Sequence, residues 1–485
     1  MYEARIKITL FYLLSALFIL LNTYFLVMKH SIIINALPFI LAIILMAIFT
    51  LDKLLYLVVF FTPLSLPLSE LVRGLPINMF LPTEPLLFGI LVIFILKCTA
   101  NKGFDRDILK HPVSLAIYFS LAWMFITCLT STMPVVSLKF FLSRVWFIVG
   151  FYLLAAKLFE DQKNIEKYVW LYIFTLILVI FYSTYRHLGY GLWDKQAAHF
   201  VMDPFYNDHT AYGAAVAMYL PFLFGFSFTD IYGKGLRFFV RICLSIVFMA
   251  LILSYARAAW LSMIVALGVW IIMRLKVRFN HLLATFLISI SLIFVFQRQI
   301  LTYLERNTTE SSANLMEHIS SMSNISSDAS NLERLNRWSC ALRMFKDKPV
   351  FGYGPGTYMF QYAPYQLTAD RTIISTNSAN GGNAHSEYLG PLAESGLLGT
   401  ISVLILIITV IYTGVRAYSL TSNKRLKTLI MGALLGLITY YIHGTMNNFL
   451  DTDKLSVPFW GFSAILVALD IHAKKNLPAK GISKD

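Results

Sequence analysis

Long apolar runs separated by short polar loops recur along the whole sequence, and this pattern restricts the chain to very few folds. A run of about 20 apolar residues is long enough to cross a bilayer as a helix. Hydrophobic residues make up 58% of the 485 residues and charged residues only 14%, whereas a soluble domain carries about a quarter charged residues. The sequence therefore predicts an all-α, polytopic transmembrane helical bundle, and it excludes a soluble enzyme, a disordered chain and a disulfide scaffold.

The apolar runs predict about 14 spans, and 12 remain possible because two of them are irregular. The third run contains Pro63 and Pro67 and the tenth is short, so either could be a broken or re-entrant element buried against its neighbours. The predicted spans are 8–28, 32–50, 54–69, 80–97, 112–130, 139–157, 167–187, 210–227, 238–255, 259–273, 281–297, 386–415, 428–446 and 456–472.

Lys and Arg cluster in alternate loops, which predicts the orientation of the spans. Cytoplasmic loops are enriched in these residues, so we interpret most of the +14 net charge as an orientation signal and expect no nucleic-acid partner. Both termini are then cytoplasmic, and the first span is an uncleaved anchor surrounded by membrane lipids. The basic clusters are 97–110, 157–167, 234–241, 274–278, 416–427 and 474–484.

One long hydrophilic segment, residues 298–385, falls on the outer side by this count. It divides the chain into an N-terminal transmembrane bundle, 1–297, an outer loop, and C-terminal transmembrane helices, 386–485. Apolar residues recur at helical spacing over 331–345, which predicts an amphipathic helix near the membrane surface. This loop is the expected place for chemistry.

Four arginines on the outer side are candidate substrate-binding groups, because ionisable side chains at membrane depth are costly unless they are paired or used. Arg257 lies between two apolar runs among small residues, and the alternative is an arginine that snorkels from a helix end. Arg334 and Arg337 lie one turn apart and could fork onto phosphate oxygens, with a solvated basic face as the alternative. Arg186 lies at the outer end of a predicted span.

His385 is the candidate catalytic residue. It follows a polar run, residues 375–383, and precedes a predicted span. A helix N-terminus lowers the pKa of a nearby histidine, so we expect a neutral imidazole that accepts a proton at pH 7. Glu387 or Glu394 could orient the ring, and the sequence does not choose between them. Taken alone, His385 could equally be a capping or packing residue.

Three other patterns favour structural roles. The glycine-rich stretch Gly352–Gly356 lacks the preceding strand and the following Gly-Lys of a phosphate loop. Asp451-Thr452-Asp453 has the Asp-x-Asp form of some metal–nucleotide sites, yet it falls on the outer face. His443, inside a span, is typical of a satisfied core histidine. The sequence shows no metal-binding motif, and we expect no metal and no cofactor.

Three motifs occur in the order typical of the O-antigen ligase and polymerase superfamily, which this chain resembles. They are Ser254 to Leu261, Arg334 to Gly356 and His385 to Gly399. In that family the first usually runs Ser-x-Ser-Arg-Gly-x-Trp. The second has an Arg four residues before a Trp and ends in Pro-x-x-Gly-x-Gly. The third is His-Asn-x-x-Leu, with Glu-x-Gly-x-x-Gly beyond.

The Arg, Trp, His, Glu and Gly positions of these motifs match, and three positions depart from them. Ala256 replaces the second Ser, Ala258 the Gly and Ser386 the Asn. The resemblance implies that His385 is the catalytic histidine and that Arg257 and Arg334 hold a pyrophosphate. The change at Ser386 bears on how the histidine is oriented.

The resemblance implies an integral-membrane glycosyltransferase, GT-C-like, in the bacterial inner membrane, with its site facing the periplasm. Its donor would be a glycan on undecaprenyl pyrophosphate, and His385 would deprotonate the acceptor hydroxyl in one inverting step without metal. We favour an O-antigen ligase, which uses lipid A–core as acceptor in lipopolysaccharide biosynthesis. A polysaccharide polymerase, a protein O-oligosaccharyltransferase and, from another class, a transporter of lipid-linked glycan remain alternatives.

Overall fold

A computed structural model describes residues 2–30, 33–71, 79–100, 104–276, 329–372, 375 and 382–476. Within these ranges the regular structure is almost entirely helical, and eleven helices are long and apolar enough to cross a membrane. The predicted all-α polytopic bundle is therefore confirmed. The predicted span 281–297 and residues 298–328 of the predicted outer loop lie outside the described residues.

The helices follow the predicted spans closely. The α-helices are α1 (Tyr2–Met28), α2 (Leu37–Phe49), α3 (Leu51–Phe61), α4 (Leu68–Leu71), α5 (Thr83–Ala100), α6 (Arg106–Leu109), α7 (Pro112–Leu129), α8 (Pro134–Ile148), α9 (Ala155–Leu158), α10 (Lys163–Leu188), α11 (His209–Phe228), α12 (Lys234–Leu253), α13 (Arg257–Leu275), α14 (Ala329–Asp347), α15 (Tyr358–Gln361), α16 (Leu389–Leu420), α17 (Lys424–His443) and α18 (Asp453–Lys475). A π-helical segment, Val149–Leu154, joins α8 to α9, and 3₁₀ turns lie at Ile33–Ala36, Thr62–Leu64, Ala197–His199, Ala363–Tyr365 and Thr368–Asp370.

The third predicted span is a broken element. Its helix α3 gives way at Thr62 to a 3₁₀ turn that contains Pro63, because proline lacks the N–H that an α-helix interior needs. A two-residue strand, β1 (Leu66–Pro67), follows and pairs antiparallel with β2 (Phe80–Leu81). This irregular backbone is buried against the neighbouring helices, which satisfy its polar groups. The tenth predicted span, by contrast, is a regular helix, α13.

Helices α11, α17 and α18 form the centre of the bundle, and they are the most buried of the spans, at 83–89%. Small residues let them approach closely, as is usual between membrane helices. A Cβ atom on Gly436 would lie 2.5 Å from the Met218 carbonyl oxygen, and one on Gly432 would lie 2.5 Å from the Phe222 ring. Because α11 precedes the predicted loop and α17 and α18 follow it, the predicted N-terminal and C-terminal helices share one core.

Basic residues from distant loops meet at one end of the bundle, which we call the basic face. Asp470 is fully buried. Its Oδ2 lies 3.1 Å from His111 Nε2, 2.7 Å from Arg416 Nη2 and 2.9 Å from Lys474 Nζ. The opposite positive charges and hydrogen bonds stabilise this buried carboxylate. The predicted alternation of the basic loops is consistent with these contacts, while the assignment of this face to the cytoplasm stays a prediction.

The opposite end of the bundle, which we call the loop face, carries α14 and residues 348–372 and 382–388. The amphipathic helix predicted over 331–345 is present as α14. Its buried residues Cys340, Ala341 and Met344 form a second small core with three tyrosines of the following segment, Tyr353, Tyr358 and Tyr362. This core fixes α14 above the membrane-spanning helices.

Candidate active site on the loop face

Arg257, Arg334 and His385 come together on the loop face although they are far apart in sequence. The charge of Arg334 acts on both His385 and His209, and the charge of Arg257 acts on His209. Arg257 is the first residue of α13, Arg334 lies on α14, and His385 precedes α16. Three separate elements therefore place Arg334 near His385, and both Arg257 and Arg334 near His209.

The first motif builds the tight turn that places Arg257. Tyr255 has a φ of 49°, a left-handed conformation that is uncommon for a non-glycine residue. Trp260 Nε1 donates to the Leu251 carbonyl at 2.8 Å, and Ser254 Oγ donates to the same carbonyl at 2.7 Å. The turn thus ends α12 and begins α13, with Arg257 at the first helical position.

A close neighbour explains why the position before Arg257 carries a small side chain. A Cβ atom on Gly213, in α11, would lie 2.6 Å from the Cβ of Ala256 and 3.2 Å from Ser254 Oγ. The backbones of α11 and of the turn therefore touch, and a larger side chain at Ala256 would push them apart. Ala256, which replaces the second Ser of the family's first motif, fits this close packing.

The backbone of His385 is held from two sides. Its N–H donates to Asn383 Oδ1 at 3.1 Å, and Trp338 Nε1 donates to its carbonyl at 3.3 Å. The Trp of the second motif is thereby bonded to the His of the third. Like Tyr255, His385 has a left-handed φ, of 49°, and such strain clusters at functional sites.

Ser386 starts the helix that follows the histidine. Its hydroxyl accepts hydrogen bonds from the N–H groups of Tyr388 and Leu389, both at 3.3 Å. A serine in this position satisfies orphan donors at a helix N-terminus. Ser386 thus supports the backbone at His385.

The imidazole of His385 is neutral at pH 7. Burial, followed by the positive charges of Arg334 and Arg337, lowers the pKa of His385 to about 4. The direction agrees with the prediction, but the largest cause is the loss of solvent and not a helix end. A neutral ring can accept a proton, as a general base must.

The two candidate orienting carboxylates bond to other groups. Glu387 Oε1 accepts from Tyr440 Oη at 2.6 Å and from the Phe449 and Leu450 N–H groups at 2.8 and 3.1 Å. Glu394 Oε1 accepts from the Tyr358 N–H at 2.9 Å. Each carboxylate ties the third motif to a neighbouring segment, and an orienting role toward the His385 ring stays a prediction for both.

Arg337 is buried, with 4% of its side chain exposed, and it is engaged by the protein itself. Its Nε lies 2.6 Å from Glu333 Oε1, and its guanidinium lies 3.8 Å from the centroid of the Tyr362 ring. Its Nη1 also donates to the Gly382 carbonyl at 3.4 Å. These contacts favour a role in holding residues near 382 beside α14, while pyrophosphate binding by Arg337 stays a prediction.

Arg186 holds a loop near the site. Its Nη1 donates to the carbonyl oxygens of Val201, at 3.2 Å, and of Asp203, and its guanidinium stacks on Tyr182. These bonds fix the segment that leads into α11. A direct contact of Arg186 with substrate stays a prediction.

Two further histidines, His199 and His209, belong to the same cluster. The ring centroids of His199 and His209 lie 4.0 Å apart. The charges of Asp208, Arg257 and Arg334 act on His209. Asp208 Oδ1 caps α11 by accepting from the Thr210 N–H at 2.7 Å. His209 begins α11, whereas His199 ends the 3₁₀ turn Ala197–His199, so the approach of their rings depends on how the intervening segment folds back.

The two glycine motifs interlock. Gly354 N–H donates to the Glu394 carbonyl at 2.8 Å, and a Cβ atom on Gly352 would lie 2.3 Å from the Glu394 carbonyl carbon. Gly396 has a φ of +67°, and a Cβ atom there would lie 2.1 Å from the Val350 carbonyl oxygen. The predicted turn at Gly352–Gly356 therefore packs backbone against backbone, as a structural role requires.

Asp453 and His443, for which the sequence favoured structural roles, also contact other protein groups. Asp453 is fully buried and accepts from Ser65 Oγ at 2.6 Å. His443 is buried, with its Nε2 3.1 Å from Asn447 Nδ2. Among the described residues, no three His, Cys, Asp or Glu side chains come together as a metal site would require.

Comparison with known proteins agrees with the motifs. Residues 242–404 match the O-antigen ligase family. An uncharacterized protein of Haemophilus influenzae is 25% identical over 252 residues, which are 48% of this chain and 56% of that protein. The family match confirms the resemblance to the O-antigen ligase and polymerase superfamily, and it supports a glycosyltransferase-like membrane enzyme of the ligase or polymerase kind.

Proposed function

We propose that this chain, whose residues 242–404 match the O-antigen ligase family, transfers a glycan from undecaprenyl pyrophosphate to a sugar hydroxyl of lipid A–core. The convergence of Arg257, Arg334 and His385 on the loop face carries the proposal. It brings two cations and a neutral base together beside the membrane-spanning helices. The loop face would then be periplasmic and the membrane the bacterial inner membrane.

The proposed chemistry needs two kinds of group. When the bond between the anomeric carbon and the pyrophosphate oxygen breaks, negative charge develops on the leaving group, and Arg257 and Arg334 stabilise that charge. The acceptor hydroxyl attacks the anomeric carbon from the opposite side and gives its proton to the neutral ring of His385. Attack from the opposite side in a single step inverts the anomeric configuration.

The proposal is tested with purified protein, undecaprenyl-pyrophosphate glycan and either lipid A–core or no added acceptor. We expect glycan on lipid A–core, together with release of undecaprenyl pyrophosphate. Longer carrier-linked glycans in the tube without acceptor would instead show a polymerase. Absence of any glycan transfer from the carrier in both tubes would contradict the proposal.

The pH dependence of transfer should reflect the lowered pKa of His385. In the free protein this pKa is about 4, so the base is neutral above it and becomes protonated and inactive as the pH falls through it. We expect the acid limb of kcat/KM to lie well below pH 6.5, the ordinary pKa of histidine. The acid limb of kcat should lie at higher pH than that of kcat/KM. Bound pyrophosphate offsets the arginine charges and so raises the pKa of His385.

Initial rates measured across the acid range would check this dependence. Samples returned to pH 7 serve as the control, since recovery of activity there separates protonation from unfolding. An acid limb of kcat/KM at or above pH 6.5 would contradict the lowered pKa.

A further inference from the structure

A cavity in the described structure lies beside His385, without His385 itself in its lining. It has a volume of about 200 Å³ and lies between α7, α8, α16 and the start of α18. Ala384 and Ser386 line it, whereas His385, between them, is not among the lining residues. The cavity therefore lies on the other side of this backbone segment from the imidazole.

The cavity is amphipathic along its length. On α16 its lining runs from Gly390, across the kink at Gly396, to Ile407, and the straight part from Gly399 to Ile407 is about 12 Å long. Its deep part is lined by Ile117, Leu121 and Leu406 and its mouth on the loop face by polar residues. A hydrocarbon chain fits the deep part, because burial of apolar surface stabilises it there.

The mouth of the cavity is acidic. Glu387, Glu394 and Asp451 line it against a single arginine, Arg144, whose Nη1 donates to the Leu450 carbonyl at 2.8 Å. With one arginine against three carboxyl groups, the mouth offers a phosphate head group little positive charge. The charges thus select against the kind of anion that Arg257 and Arg334 are proposed to hold.

Asp451 is the carboxylate open to a ligand. Glu387 and Glu394 accept hydrogen bonds from other protein groups, whereas the side chain of Asp451 is exposed to the cavity. A hydroxyl that donates to this carboxylate would form a charge-assisted hydrogen bond.

Three further polar atoms belong to residues that line the cavity. Asn448 Oδ1, Trp460 Nε1 and Tyr441 Oη are buried, and no described residue offers any of them a hydrogen bond. Asn448 Oδ1 only accepts hydrogen bonds, Trp460 Nε1 only donates, and Tyr441 Oη does both. These atoms have almost no accessible surface, so the contact of a head group with the cavity rests on Asp451.

We propose that this cavity binds a neutral amphiphile with a single hydrocarbon chain in its deep part and a hydroxyl-bearing head group, such as a sugar, against Asp451. The chain lies among the apolar residues of α7 and α16. The head group donates a hydrogen bond to the exposed carboxylate of Asp451. The proposal goes beyond the proposed function and does not depend on it, because no donor glycan takes part.

The test uses dodecyl maltoside as the probe and protein purified in a detergent without sugar. Native mass spectrometry should show one retained, saturable copy on the wild type. Asp451→Asn should weaken retention by about tenfold, since it removes a hydrogen bond to a charged group. Val403→Trp, which fills the cavity, should abolish it. Leu404→Trp is the matched control, because Leu404 is the neighbouring residue and is exposed, and it should bind like the wild type.

Dodecyl phosphocholine, which has the same chain length and a phosphate in its head group, tests the charge selection. It should not be retained at the concentration at which dodecyl maltoside saturates. Equal retention of both probes, or equal retention by Val403→Trp and wild type, would mean an adventitious additive only and would overturn the site. Unchanged affinity in Asp451→Asn would overturn the assignment of the head group.

Discussion

Replacing His385 by alanine should reduce glycan transfer by about 10²–10⁴-fold, the usual contribution of a general base. The acceptor hydroxyl would lose the group that takes its proton, while the two arginines that are proposed to hold the donor would remain. The measurement is the initial rate of glycan transfer to acceptor by purified protein. Donor binding, measured separately, should be largely unchanged.

His472→Ala is the matched control for this variant. His472 lies near the end of α18, on the basic face, nineteen residues and about 28 Å along the helix from Asp453. It should transfer glycan at the wild-type rate. A rate for His385→Ala within a few-fold of wild type, in protein with unchanged thermal unfolding, would refute the proposed base.

Replacing Arg257 or Arg334 by alanine should each reduce transfer by about 10²–10³-fold, as loss of a preorganised charge-stabilising group does. Each guanidinium would stabilise the charge that develops on the pyrophosphate, so kcat should fall along with donor affinity. Lysine in place of either arginine should restore only part of the rate, because it keeps the charge but lacks the planar, two-pronged donor.

Arg274→Ala supplies the matched control for the arginine variants. Arg274 lies in the last turn of α13, the same helix that begins with Arg257, and it is exposed. Its loss should leave both donor affinity and rate unchanged. Wild-type rates in both Arg257→Ala and Arg334→Ala would contradict the proposed pyrophosphate site.

The main features of the architecture follow from local patterns. The spans could be predicted because a membrane helix needs a set length of apolar residues. The amphipathic helix α14 could be predicted because its apolar spacing is local, and the break near Pro63 because proline removes a donor wherever the residue falls. Each of these features depends on neighbours within a few positions.

The partners of individual polar side chains could not be predicted in this way. Glu387 bonds to the segment before α18, and Arg337 bonds to Glu333 and stacks on Tyr362. His199 lies against His209 only because the segment between α10 and α11 folds back onto the start of α11. Each pairing joins groups whose separation is set by how whole elements pack.

The sequence by itself determined that the chain forms a membrane-spanning helical bundle, because backbone groups in lipid must be satisfied within helices. It also determined which Arg and His residues match the family motifs. Only the tertiary structure decided that Arg257, Arg334 and His385 meet at one face, and that a separate acidic cavity lies behind the histidine. Apolar length and periodicity are local properties of the chain, whereas a site is made by side chains that long-range packing brings together.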